Sequence, residues 1–203
     1  MWIKICGLTS EAAVAAALAL GVDALGFVFT ESVRRVSAAQ ARELARPARA
    51  RARCVAVMRQ PSQALVDEVL SVFRPDVLQS DAGELQGLRL PQTLELLPVL
   101  RGAVAARIVL PARILFEGTR SGSGELADWP AAHALARRTE LVLAGGLKAA
   151  NVAAAMAAVR PFGVDVSSGV EASPGVKSPA AMESFVRAVR GALERSTDFE
   201  DLP

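Results

Sequence analysis

Leu141-Val142-Leu143-Ala144-Gly145-Gly146-Leu147-Lys148-Ala149-Ala150-Asn151, followed across a helical stretch by Gly163-Val164-Asp165-Val166-Ser167-Ser168-Gly169-Val170-Glu171, decides the fold. Each half opens with a short apolar run, Leu141–Ala144 and then Gly163–Ser167, and breaks into glycine and hydroxyl residues. Ala149–Val159 between them carries a helical pattern. Such a strand–loop–helix–strand unit predicts parallel strands whose faces are both covered.

Working outward, the same switch recurs along the chain. Further strand candidates are Ile3–Cys6, Ala24–Phe29, Cys54–Met58, Asp76–Gln79, Val99–Val104 and Arg113–Glu117. Helix-like stretches are Glu11–Leu20, Ala38–Ala45, Ser62–Phe73, Trp129–Arg138 and Pro179–Leu193. Ser37-Ala38-Ala39-Gln40 reads as a capping box, and Ser178-Pro179 as an N-cap before a first-turn proline. This alternation predicts a compact (β/α)8 barrel over residues 1–194, with helix five shortened or absent. A doubly wound open sheet competes, but Cys6-Gly7-Leu8-Thr9 is not the glycine-rich turn that such a sheet carries after its first strand. Residues Arg195–Pro203 are polar without periodicity and read as a tail.

The 203 residues suffice for one substantial core, which must be aliphatic because aromatics are 4% of the chain. A formal net charge of +2 with scattered arginines argues against nucleic-acid or anionic-membrane partners. The densest basic run, Arg49-Ala50-Arg51-Ala52-Arg53, reads as a solvated connection. Ala12–Leu20, the longest apolar run, is too short to span a bilayer. Cys6 and Cys54 lie in apolar strands and form no disulfide framework, and no leader pattern precedes the first strand, so a cytoplasmic protein is expected.

Chemistry in a (β/α)8 barrel gathers at the C-terminal strand ends. In Lys4-Ile5-Cys6-Gly7, strand alternation sends Lys4 and Cys6 to one face. Cys6 is then either a buried structural thiol or a base or nucleophile whose thiolate the lysine favours, and the remaining residues favour the second. Glu117 ends the sixth strand on the inward face, where a carboxylate is costly unless bonded or used. A thiol and a carboxyl at one rim make an acid–base pair. Arg34, after the second strand, is either a surface cation or a receptor for a substrate carboxylate. Gly145 and Gly146 alone could be only a turn, but with Ser167, Ser168 and Gly169 one unit later they read as a phosphate cradle. His133 is expected at the surface, Cys54 in packing, and Ser121-Gly122-Ser123-Gly124 in a partial lid. Asp81 and Glu84 lack ligand spacing, so no metal site is expected.

Over nearly its whole length the chain resembles phosphoribosylanthranilate isomerase of tryptophan biosynthesis. The resemblance rests on Lys4-Ile5-Cys6-Gly7, Gly26-Phe27-Val28-Phe29 with Ser32 and Arg34, Ala144-Gly145-Gly146-Leu147 with Asn151-Val152, and Val164–Glu171 followed by Pro174-Gly175 and Lys177. It implies a (β/α)8 barrel performing an Amadori rearrangement of an aminoaldose to an aminoketose without metal or organic cofactor. By the same resemblance Cys6 is the general base and Glu117 the general acid. Arg34 binds the anthranilate carboxylate, Asp165 orients substrate hydroxyls or the thiol, and Gly145, Gly146, Ser167, Ser168 and Gly169 hold phosphate. The implied partner is a small phosphorylated substrate, and the assembly a monomer or homodimer.

The pattern has departures. Glu117 stands where the family has aspartate, which displaces the acid by about 1.5 Å on an unchanged backbone. Gln79-Ser80-Asp81-Ala82 replaces Gln-Leu-His-Gly, and Ser121–Gly124 with Asp128-Trp129 matches only approximately. Activity is still expected, with Glu117 serving through local backbone adjustment and Asp128 acting as a helix N-cap. The rival readings are the histidine-pathway aminoaldose isomerase, which needs a second phosphate cradle, and a non-catalytic barrel that binds phosphate metabolites.

Overall fold

Eight parallel strands close into a barrel in the order β1-β2-β3-β4-β5-β6-β7-β8, with β1 returning to β8. The structure is a computed structural model that describes residues 1–102, 109–118 and 126–197. The strands are β1 (Trp2–Cys6), β2 (Ala24–Val28), β3 (Arg53–Val57), β4 (Val77–Asp81), β5 (Glu95–Arg101), β6 (Arg113–Glu117), β7 (Glu140–Leu143) and β8 (Gly163–Val166). Helices α1 (Glu11–Ala19), α2 (Ala38–Ala45), α3 (Gln63–Val72), α4 (Ala82–Leu85), α5 (Trp129–Ala136), α6 (Val152–Val159) and α7 (Pro179–Thr197) run between and after them. A short hairpin, β9 (Glu171–Ser173) and β10 (Val176–Lys177), turns at Pro174-Gly175 before α7.

Strand alternation divides the apolar residues into two cores. Ala24, Val55, Val77, Leu97, Val99, Leu115 and Val142 pack inside the barrel. Ile3, Ile5, Leu25, Phe27, Ile114, Leu141 and Val164 face outward and meet the helices in the larger cluster. The lower end of the barrel is plugged by Trp2 and Phe162, with the Arg113 guanidinium 4.5 Å from the Phe162 ring centroid. Chemistry is therefore left to the upper end.

The helix starts follow their caps. Ser10, Ser37, Ser62, Asp128 and Ser178 each accept a backbone N–H from the first turn, and Ser37 with Gln40 completes the expected capping box. The basic run at 49–53 is exposed as expected, and it also caps: Arg49 donates to the carbonyls of Phe73 and Arg74, and Arg51 to that of Leu18. These are helix C-terminal carbonyls, where cations are favoured.

Several boundaries differ from the sequence reading. β5 runs from Glu95 to Arg101 rather than from Val99. Pro98 pairs only toward β4, opposite Ser80, while the β6 ladder starts at Val99, so the missing proline N–H falls where one neighbour has not yet begun. α6 begins at Val152 rather than Ala149. The Asn151 carboxamide closes the preceding turn, accepting from the Lys148 N–H at 2.8 Å and donating to the Gly146 carbonyl at 2.9 Å. α7 extends to Thr197, past the expected boundary at 194. His133 is half-buried, not on the surface. The expectation that helix five is shortened or absent concerns mainly 103–108, the expected lid lies on 119–125 and the end of the tail on 198–203, all outside the described residues. Among the described residues no helix is long and apolar enough to cross a membrane.

Candidate active site

Cys6, Asp81, Arg101 and Glu117 are the last residues of β1, β4, β5 and β6, and so stand on one rim of the barrel. Cys6 is 7% exposed. Beneath it the Lys4 ammonium is fully buried and lies 2.9 Å from Asp165 Oδ1. The two residues are register partners on β1 and β8, so the ion pair closes the barrel seam. Burial disfavours the Lys4 charge, but Asp165 and Cys6 outweigh it and hold its pKa above the ordinary value. Burial pushes the Cys6 thiol above its ordinary value, and Lys4, already committed to Asp165, offsets only part of this. Gly26 on β2 makes room for both groups, since a Cβ there would lie 2.9 Å from Cys6 Sγ and 3.1 Å from Lys4 Cε.

Arg34 reaches the same rim with its guanidinium bound in fork geometry to Glu171, Nε to Oε1 at 2.7 Å and Nη2 to Oε2 at 2.8 Å. Its stem crosses Gly7, where a Cβ would meet Arg34 Cδ at 2.5 Å. Lys177 donates to Glu171 Oε1 at 2.7 Å and to the Ser167 carbonyl at 3.0 Å, while Ser167 Oγ donates to the Cys6 carbonyl at 3.0 Å. Burial works against the Glu171 carboxylate, yet the bonds from Arg34 and Lys177 hold its pKa down to about 2. Lys177 itself is pulled below its ordinary value by burial.

The phosphate-loop candidates meet beside this network. Gly145 and Gly146 adopt left-handed φ of 87° and 62°, which any larger side chain would resist. Gly169 lies so close to the preceding loop that a Cβ would sit 1.9 Å from the Leu147 carbonyl oxygen. Ser167 and Ser168 open the 3₁₀ turn Ser168–Val170 in the same loop. On the opposite side, Glu117 Oε1 accepts from Arg101 Nη2 at 2.5 Å, and Arg101 Nη1 binds Asp81. Cys54 packs fully buried, its thiol pushed up to about 11 by burial. Among the described residues no three histidine, cysteine or acidic side chains form a metal-binding group.

Residues 3–188 match the family model for N-(5'phosphoribosyl)anthranilate (PRA) isomerase. The chain belongs to this isomerase family. A relative from Mesorhizobium japonicum, named N-(5'-phosphoribosyl)anthranilate isomerase, is 38% identical over 211 residues, covering 95% of this chain and 96% of its own. The crystal structure of phosphoribosyl anthranilate isomerase from Thermus thermophilus superposes with a TM-score of 0.81 at 28% identity, over 94% of this chain and 99% of that one. A family structure in complex with reduced 1-(o-carboxyphenylamino)-1-deoxyribulose 5-phosphate gives a TM-score of 0.75 at 26% identity, over 94% and 99%.

Every candidate residue of the isomerase reading thus lies at the upper rim, in the loops above it, or, for Asp165, immediately below. The sequence reading missed Arg101 as a site residue and gave no role to Lys177 or Glu171. Arg101 had a usable signal: alternation from the inward Leu97 and Val99 places it inward at a strand end, as it does Cys6 and Glu117. The Glu171–Arg34 bond had none, because 137 positions separate the partners.

Proposed function

We propose that this protein converts N-(5-phosphoribosyl)anthranilate to 1-(2-carboxyphenylamino)-1-deoxyribulose 5-phosphate by an Amadori rearrangement, in cytoplasmic tryptophan biosynthesis. The observation that carries the assignment of roles is the shared rim: an inward thiol at the end of β1 and an inward carboxyl at the end of β6, beside two interlocked glycine loops. Glu117 in its carboxylic acid form gives a proton to the furanose oxygen, and the ring opens as the C1′–O bond breaks to leave a protonated Schiff base. That cation acidifies C2′–H, and Cys6 as thiolate removes the proton to give an enolamine, which tautomerises to the aminoketose. The substrate's own iminium is the electron sink, so the steps balance without a metal or redox cofactor.

Lys4 stands under the thiol and, of the neighbouring cations, favours the thiolate most when it forms. Asp165, bonded to Lys4, fixes that cation. The bonds to Glu171 use two of the Arg34 guanidinium's five N–H donors, leaving its other edge for the anthranilate carboxylate. Gly145, Gly146, Ser167, Ser168 and Gly169 surround the phosphate with backbone N–H groups and hydroxyls. The partner is this small phosphorylated substrate, and the protein works as a monomer or homodimer.

Steady-state turnover of N-(5-phosphoribosyl)anthranilate by wild type, Cys6→Ser and Glu117→Gln tests the roles. Each variant is expected to lose about two to four orders of magnitude in kcat, the contribution of a positioned acid or base. Equal rates for all three would overturn the assignment. Turnover of only the larger, two-phosphate aminoaldose of the histidine pathway would overturn the substrate.

A further inference from the structure

We propose that Arg101, anchored by Asp81, is a positioning residue that fixes the place of the Glu117 carboxyl; the inference rests on Glu117 being the general acid. The three side chains end three consecutive strands, β4, β5 and β6. Arg101 and Glu117 are direct register partners, so their side chains leave the sheet side by side. The guanidinium is held from both sides, by Asp81 at Nη1 and by Glu117 at Nη2, and the Arg101 side chain is 19% exposed. A cation fixed on one edge by Asp81 presents its other edge to Glu117 in a defined orientation.

Glutamate has one more rotatable bond than the aspartate usual in this family, so its carboxyl needs an added restraint to stay within reach of a fixed atom. Arg101 supplies that restraint through a 2.5 Å hydrogen bond to Oε1. Asp81 holds the guanidinium at Nη1, so the cation's orientation toward Glu117 is fixed from its other side. Asp81, Arg101 and Glu117 are therefore parts of one device whose middle member is Arg101.

Kinetics of Arg101→Met, Arg101→Lys, Asp81→Asn, Glu117→Gln and Arg101→Met/Glu117→Gln test it. Arg101→Met is expected to lower kcat between about 10- and 100-fold, the scale of a roughly 1 Å misplacement, with KM changed less than about threefold. Arg101→Lys should recover part of the loss, since an ammonium still reaches Glu117 but gives no fork. Asp81→Asn should lower kcat several-fold, and it carries the test if Arg101→Met does not fold. The double variant should be no slower than Glu117→Gln alone, because the clamp acts only through the carboxyl. Wild-type kcat in folded Arg101→Met, or losses that multiply in the double variant, would overturn the clamp. Wild-type kcat in Glu117→Gln would instead overturn the acid assignment beneath it.

Discussion

Cys6 is set by what lies around its sulfur rather than by its neighbours in sequence. Lys4 two residues earlier suggested a thiolate, and alternation did put both side chains on one face. The balance could not be read there, because it depends on Asp165, 161 positions from Lys4, which pairs with the lysine's charge. With burial as the larger influence, the thiol is held above its ordinary value, so the thiol form is expected to dominate in the free protein at neutral pH. Alkylation by iodoacetamide in a Cys54→Ala background reads this directly, since only the thiolate reacts. The rate is expected to climb about tenfold per pH unit from pH 7 to beyond pH 9 without levelling. A plateau below about pH 8 would mean that Lys4 wins over burial and the thiolate is already formed.

The elements contribute through how closely their loops approach one another. Gly169 shows this for the loops after β7 and β8. It was read as a backbone donor for phosphate, and the same residue also has a packing reason that one loop's sequence does not reveal. Its Cα lies against the Leu147 carbonyl, and an added methyl would overlap that oxygen. Gly169→Ala must therefore push the two loops apart. The expected result is a rise in KM of about tenfold or more with a smaller change in kcat, and weaker competition by inorganic phosphate. Unchanged inhibition by phosphate would remove these loops from the phosphate site. Legibility followed the same division at the level of elements. β7 and β8 were readable because an apolar run met a glycine break at each end. β5 was displaced by four residues at its start because Pro98 argues against a strand, and what rescues it is a ladder direction that only the closed sheet defines. The clamp at Arg101 was missed with it.

At the scale of the molecule, the barrel was legible because eight apolar runs alternate with helical patterns, whereas the ties that hold its ends together join distant positions. Glu171 is the centre of one such tie. It receives Arg34 from the loop after β2 and Lys177 from the hairpin, and Lys177 also holds Ser167 above β8. Thr9 adds a bond to the Gly175 carbonyl at 3.1 Å, so the hairpin is fastened to the loops after both β1 and β2. The pH dependence follows from the carboxyl. Its folded value is about 2 against an ordinary 4.5, so the folded state holds fewer protons than the unfolded state between those values. The stabilisation from Glu171 is therefore complete above about pH 5 and disappears as pH falls toward 2. Thermal unfolding from pH 7 to 2 should show the wild-type Tm dropping steeply inside that window. Glu171→Gln should begin with a lower Tm at pH 7, because it leaves Arg34 and the buried Lys177 without their shared carboxylate. Its Tm should then fall less between pH 5 and 2, and the two curves should converge at the acid end. Parallel curves across the whole range would mean that Glu171 does not couple protonation to folding, and that the hairpin is held by packing instead.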